Sequence, residues 1–218
     1  MTANVLPQIK AAFGWRGFPH AMFYEADYSL RFDLGGEIGM GPLRFMQALD
    51  RARAISKVLF STSETLHAVV TMYGEQRNTS RHYYAFQKLR GIGFDHSFGV
   101  AEKIAQNDQE YIGEFGSDLF RYWYAAPFKN DNASVSALLW ASVSREMDIH
   151  PSPRWIDTIH IVDFRNRLAL TAYDDRGMDV VGPDGPALAS LYNQFSAWLL
   201  DYDRPTMDAK FSGLPGQR

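Results

Sequence analysis

The residues best suited to chemistry lie in one short run, "YDDRGMD" at 173–179, where Asp174, Asp175 and Asp179 flank Arg176. Carboxylates so close can gather a divalent cation, and an Asp beside an Arg can orient an anion or move a proton. The same residues also make a β-turn. Asp side chains satisfy turn N–H groups, Gly177 is expected to supply a positive φ, and Arg176 balances the carboxylates. The run lacks the spacing and terminal Glu of an EF-hand. Asp201 and Asp203 follow at the end of the last apolar stretch, where a helix C-terminus disfavours negative charge unless a cation or solvent is at hand.

A second candidate is the loop in "FDLGGEIGMGPLRF". Gly36 and Gly41 have the gap of a P-loop, but Pro42 and Leu43 stand where Lys and Ser or Thr are needed. Gly39 and Gly41 begin a G-x-G-x-x-G whose third glycine is replaced by Arg44. The loop therefore reads as a strand-to-helix connection with Gly41 as cap and Pro42 in the first turn. Its functional alternative is an anion held at the free N–H groups of that helix, aided by Arg44. The six histidines never fall in an H-x-H or H-x-x-x-H spacing, and there is no G-x-S-x-G. No catalytic residue, metal site or cofactor is assigned from the sequence.

Composition narrows the classes further. Net charge is −3 over 218 residues, without the basic excess that nucleic-acid binding relies on. With no cysteine, thiolate catalysis, disulfides and Cys-ligated metals are excluded. No basic leader precedes a long apolar core and no apolar run reaches membrane-spanning length, so a cytoplasmic address without membrane contact is expected. Residues 157 to 208 hold nine acidic and four basic residues, which suggests an acidic surface able to receive a basic partner.

These residues must be positioned by elements whose periods are legible. Alternation in "YSLRFDL" predicts a strand ending at Gly35 and Gly36, and Phe45, Leu49, Ala52, Ile55 and Leu59 form one stripe of a helix from Pro42. "TLHAVVTMYG" reads as a strand, and "SRHYYAFQKLRG" as a helix capped by Ser80 and closed by Gly91. "DLFRYWYAAPF" is either a central strand covered on both faces or one with a face kept for a partner, ended by Pro127. "ASVSALLWASVSREM" predicts a helix, and "DTIHIVDF", "RLALTAY" and "MDVVG" a three-stranded meander. Apolar residues at helical spacing from Leu188 to Tyr202 predict one helix over 187–202. The fold class is α+β: a single domain over 1–210 with a mixed, largely antiparallel sheet of five or six strands, and a flexible tail over 211–218.

At "YDDRGMDVV" and "SAWLLDYDR" the chain resembles a bacterial domain-of-unknown-function family, number 3885. "YSLRFDLGG", "RFMQALDRARAISKVLF" and "LLWASVSREMDIHPSP" resemble its other blocks in the same order. The resemblance brings no catalytic residues. Its members are similar in character to immunity proteins, which implies a protein-binding module neutralising a toxin encoded by a neighbouring gene. The expected contact residues are Asp174, Asp175, Arg176, Asp179, Asp201 and Asp203. The alternative is a metal- or nucleotide-dependent hydrolase using Asp174, Asp175 and Asp179 or the Gly36–Gly41 loop.

Overall fold

Alternating apolar residues give each strand a face to bury, and here both faces find cover. The computed structural model describes residues 4–75, 80–99, 101–105, 112–113 and 119–214. Seven strands form one sheet: β1 (Ser29–Asp33), β2 (Thr65–Glu75), β3 (Glu102–Ala105), β4 (Leu119–Lys129), β5 (Thr158–Asp163), β6 (Leu168–Ala172) and β7 (Gly177–Val181). Their order is β1-β7-β6-β5-β2-β4-β3, and every pairing is antiparallel. The predicted meander is β5-β6-β7. The strand beyond the expected five or six is β3, whose four residues alternate between partial and full exposure and carry too little apolar signal to be read.

One sheet face, with Leu30, Phe32, Val70, Met72, Ile161 and Val180, packs on α3 (Pro42–Leu59), α4 (Ser80–Ile92), α5 (Asn132–Val143) and α6 (Gly185–Gln194). The opposite face, with Val69, Trp123, Val162 and Val181, is covered by α1 (Val5–Phe13), Phe18 and the short α2 (Met22–Glu25). Burying each such large apolar side chain stabilises the fold by about 1.5–3 kcal/mol. β4 is thus the doubly covered strand, with Tyr122, Trp123 and Tyr124 all buried. It does not stop at Pro127, which pairs with His67. β3 opposes β4 only as far as Trp123, so the missing N–H of Pro127 deprives no strand on that side.

Local chemistry sets the helix ends. Asp131 accepts from Ser134 N at 2.8 Å to cap α5, and Asp184 accepts from Ala187 N at 2.9 Å to cap α6. Gly41, at φ 139°, precedes Pro42 at the start of α3. α4 begins at Ser80 and closes on Gly93, at φ 113°, rather than Gly91.

The expected long C-terminal helix is broken. α6 ends at Gln194, and 3-10 turns occupy Ser196–Trp198 and Asp201–Asp203. Between them Leu199 bridges to Phe32, and Leu200 N donates to Arg31 O at 2.9 Å. The chain then re-enters a helix, α7 (Arg204–Phe211), whose Met207 and Phe211 are buried. Phe211 therefore belongs to the core and not to the expected tail, and residues 215–218 of that tail lie outside the described residues.

Gly177 corrects another expectation. Its φ is not positive. A glycine is needed because a Cβ there would overlap the Tyr173 phenol. Gly177→Ala is expected to cost about 1–3 kcal/mol of stability, as an overpacked site does. Gly39→Ala, where a Cβ meets nothing within 4 Å, is expected to leave the urea midpoint almost unchanged.

Candidate functional site

The Asp-rich run joins β6 to β7, and antiparallel pairing of β7 with edge strand β1 sets Arg31 opposite Asp179. Arg31 holds Asp179 with two bonds, Nε–Oδ1 at 2.7 Å and Nη2–Oδ2 at 3.0 Å, and reaches Asp203 Oδ2 at 3.3 Å. Phe23 N donates to Asp179 Oδ2 at 3.0 Å, and the Tyr24 hydroxyl donates to Asp203 Oδ1 at 3.1 Å. The Arg31 guanidinium also lies 4.6 Å from the Tyr24 ring centroid. Burial works against its charge, but the Asp179 bonds and charge outweigh that and hold its pKa above the usual arginine value. Burial, and then the nearby Asp179, raises the Tyr173 hydroxyl, which stays protonated.

The neighbouring carboxylates are engaged separately. Asp175 pairs with Arg44 of α3, and Asp174 pairs with Arg176 Nε and Nη2, the latter also reaching Glu146 at 3.1 Å. Arg176 N donates to Asp174 Oδ1 at 2.7 Å, the bond of an Asx-turn. Asp174, Asp175, Asp179 and Asp203 are all buried, so four of the six expected contact residues are withdrawn from any partner. Only Arg176 and Asp201 are exposed. The expected acidic surface shrinks for the same reason, since Asp163 is buried too. Asp175, Asp179 and Asp203 are instead neutralised by Arg44 and Arg31 from the N-terminal quarter.

The hydrolase alternative needed Asp174, Asp175 and Asp179 to converge. Each instead faces its own arginine, and among the described residues no group of three or more His, Asp or Glu is placed to hold a metal. The glycine loop is used up in the same way. Arg44 Nη1 donates to Gly36 O at 3.2 Å and Ile38 O at 2.8 Å, Gln47 Nε2 to Gly35 O at 2.5 Å, and Arg51 Nη1 to Asp33 O at 2.9 Å. Its carbonyls thus face cationic and amide donors of α3, and Arg44, the side chain expected to aid an anion there, is also engaged by Asp175.

Beneath the N-terminal segment lies a polar group that sequence reading does not single out. Arg121 of β4, whose state the sequence leaves open, pairs with Asp157 at 2.8 Å. Thr71 and Thr158 hydroxyls meet at 2.6 Å, and His160 Nε2 lies 3.1 Å from Thr158 Oγ1. His160 stacks on Phe18, and burial, then Arg121, pushes its pKa well below the usual value. Buried Nδ1 of His160 and Nε1 of Trp123 have no partner among the described residues.

Two surfaces remain open. Met40, Leu43 and Met46 are 74%, 72% and 58% exposed at the start of α3, whose inner face is Phe45, Ala48 and Ala52. On α4, buried His82, Ala85 and Leu89 leave Tyr83, Tyr84 and Lys88 outward, and Tyr84 and Lys88 face the segment that carries Trp155. The helical period of "SRHYYAFQKLR" contains that signal, because residues 82, 85 and 89 share one stripe.

Fold and site together define an α+β protein with an all-antiparallel sheet locked by internal arginine–aspartate pairs. The chain belongs to the family described as domain of unknown function DUF3885, whose model matches residues 5–203. No curated protein and no solved structure matches it. Among the described residues no helix is long and apolar enough to cross a membrane.

Asp179→Ala leaves Arg31 buried without its main counter-charge and is expected to cost about 3–5 kcal/mol in urea unfolding. Exposed Asp201→Ala should stay within about 0.5 kcal/mol of the parent. A second measurement tests the histidines. Burial lowers His67, His82 and His160, so the unfolded chain binds more protons once pH drops below the ordinary histidine value. Stability should be full above that value and fall with acidification, by up to roughly 1.4 kcal/mol per pH unit for each histidine still neutral in the fold.

Proposed function

We propose that this chain is a protein-binding module that meets its partner through the apolar patch of Met40, Leu43 and Met46. The observation that carries this reading is the exposure of three large apolar side chains on one helix start and the loop leading into it. Leu43 and Met46 are three residues apart on α3, so they share one outward face. Grouped exposed apolar residues favour interaction sites, and methionine adapts its shape to a partner. The absence of a convergent carboxylate group among the described residues favours binding over hydrolysis.

The partner in this reading is a toxin encoded by a neighbouring gene, and the chain acts as its immunity protein. That part comes from the family's likeness in character to immunity proteins. The acidic surface first expected to receive such a partner is reduced, because Asp163, Asp174, Asp175, Asp179 and Asp203 are buried, so this reading rests on the apolar patch instead.

Co-expression with the neighbouring gene's product, followed by co-purification, tests both parts. Rescue of growth with a stable complex is expected. The pair Leu43→Glu and Met46→Glu should weaken that complex by at least about 2 kcal/mol, the loss typical of a contact anchor, while the unfolding midpoint of the free protein stays unchanged. Capture of the partner at parental affinity by the doubly substituted protein would move the contact elsewhere.

A further inference from the structure

The segment from Pro151 to Ile156 is firmly held. Trp140 Nε1 donates to Pro151 O at 2.8 Å, Ile156 is buried, and Asp157 N donates to Thr71 O at 2.8 Å, tying the segment's end to β2. Within it Trp155 has φ 81°, a conformation that an aromatic residue adopts only when its surroundings impose it. The Arg81 guanidinium sits 4.5 Å from the Trp155 ring centroid, yet the ring stays half exposed along a cleft between this segment and α4. The cleft has a volume of about 560 Å³ and is lined by Tyr84, Lys88, His150, Ser152, Arg154 and Trp155. That size lies within the range of small-ligand sites, roughly 300–1,000 Å³.

Its chemistry is one-sided. Among the described residues, Lys88 and Arg154 have no ion-pair partner and no carboxylate lines the cleft. His150 is the one lining residue with an acidic contact, Nε2 to Asp148 Oδ1 at 3.3 Å. Two unpaired cations exclude a cationic ligand, while Trp155 and Tyr84 offer flat surfaces to a planar ring. Ser152 adds a hydroxyl for a polar edge.

We propose that this cleft binds a nucleoside monophosphate, its base against Trp155 and Tyr84 and its phosphate against Lys88 and Arg154. The site is separate from the glycine loop, whose carbonyls face inward, and uses none of the residues of the apolar patch on α3. A polymer is disfavoured by the small number of free cations and by the net charge of −3.

The test is titration of the full chain with AMP, GMP, CMP and UMP, followed by calorimetry and tryptophan fluorescence, with adenosine and inorganic phosphate as separate arms. At least one nucleotide is expected to bind saturably and quench fluorescence. Adenosine and phosphate should each bind at least about tenfold more weakly, since each lacks one half of the contact. Trp155→Phe should remove the quench while calorimetric binding persists. The surface pair Lys88→Glu and Arg154→Glu should weaken binding by at least about tenfold with an unchanged circular dichroism spectrum. The proposal is overturned by no saturable binding of any of the four nucleotides, by binding that survives the charge reversal, or by phosphate alone binding as well as the nucleotide. Oligouridylate binding that strengthens with length far beyond UMP would also overturn it, in favour of a polymer.

Discussion

The bidentate pair between Arg31 and Asp179 is the contact on which the arrangement around β1 and β7 depends. It joins opposed residues of two neighbouring strands, and through further bonds it ties in α2 by Phe23 N and the C-terminal segment by Asp203. Two stretches distant from Arg31 in sequence, at Asp179 and Asp203, therefore share one guanidinium. Desolvating such charges is costly, and the cost is offset because all three guanidinium nitrogens and both oxygens of each carboxylate are hydrogen-bonded. The planar fork of arginine suits this task, presenting two parallel donors to Asp179 and a third to Asp203. Lysine at this position could not make the same set.

Around that pair the same solution recurs at smaller scale. Arg44 reaches from α3 to Asp175, Arg176 folds back on Asp174, and Arg51 serves the carbonyl of Asp33. The loop between β1 and α3 is thus held mostly by side chains of the helix it introduces. Carboxylates that look catalytic in a linear reading instead provide counter-charges where helix, turn and edge strand meet.

Much of this was legible from the residues. Alternation located β1, apolar runs between turn residues located β2, β4 and the meander, helical spacing located α3 and α5, and capping residues located α4; the continuous runs reflect strands buried on both faces. The C-terminal misreading has a physical cause. Phe195, Trp198, Leu199 and Tyr202 keep helical spacing, but Leu199 gains its burial by bridging to Phe32, and spacing alone does not distinguish the two. Turn composition at Asp174–Gly177 was visible, whereas the partners of its carboxylates were not. Arg44 lies more than a hundred residues away, and no local pattern encodes which arginine a buried aspartate will meet. The exposure of Trp155, outside any helix, had no local pattern to announce it, whereas that of Tyr83 and Tyr84 was implicit in the spacing of His82, Ala85 and Leu89.

The interruption of the C-terminal helix matters beyond the local backbone. β1 ends the sheet, and an uncovered edge strand presents free N–H and C=O groups to any other strand. By leaving the helical path at Phe195, the chain lays Leu199 and Leu200 along that edge and occupies the Arg31 carbonyl. A continuous helix would satisfy its own backbone and leave β1 bare. The break therefore takes up, at the β1 end of the sheet, backbone groups that would otherwise be offered to another strand.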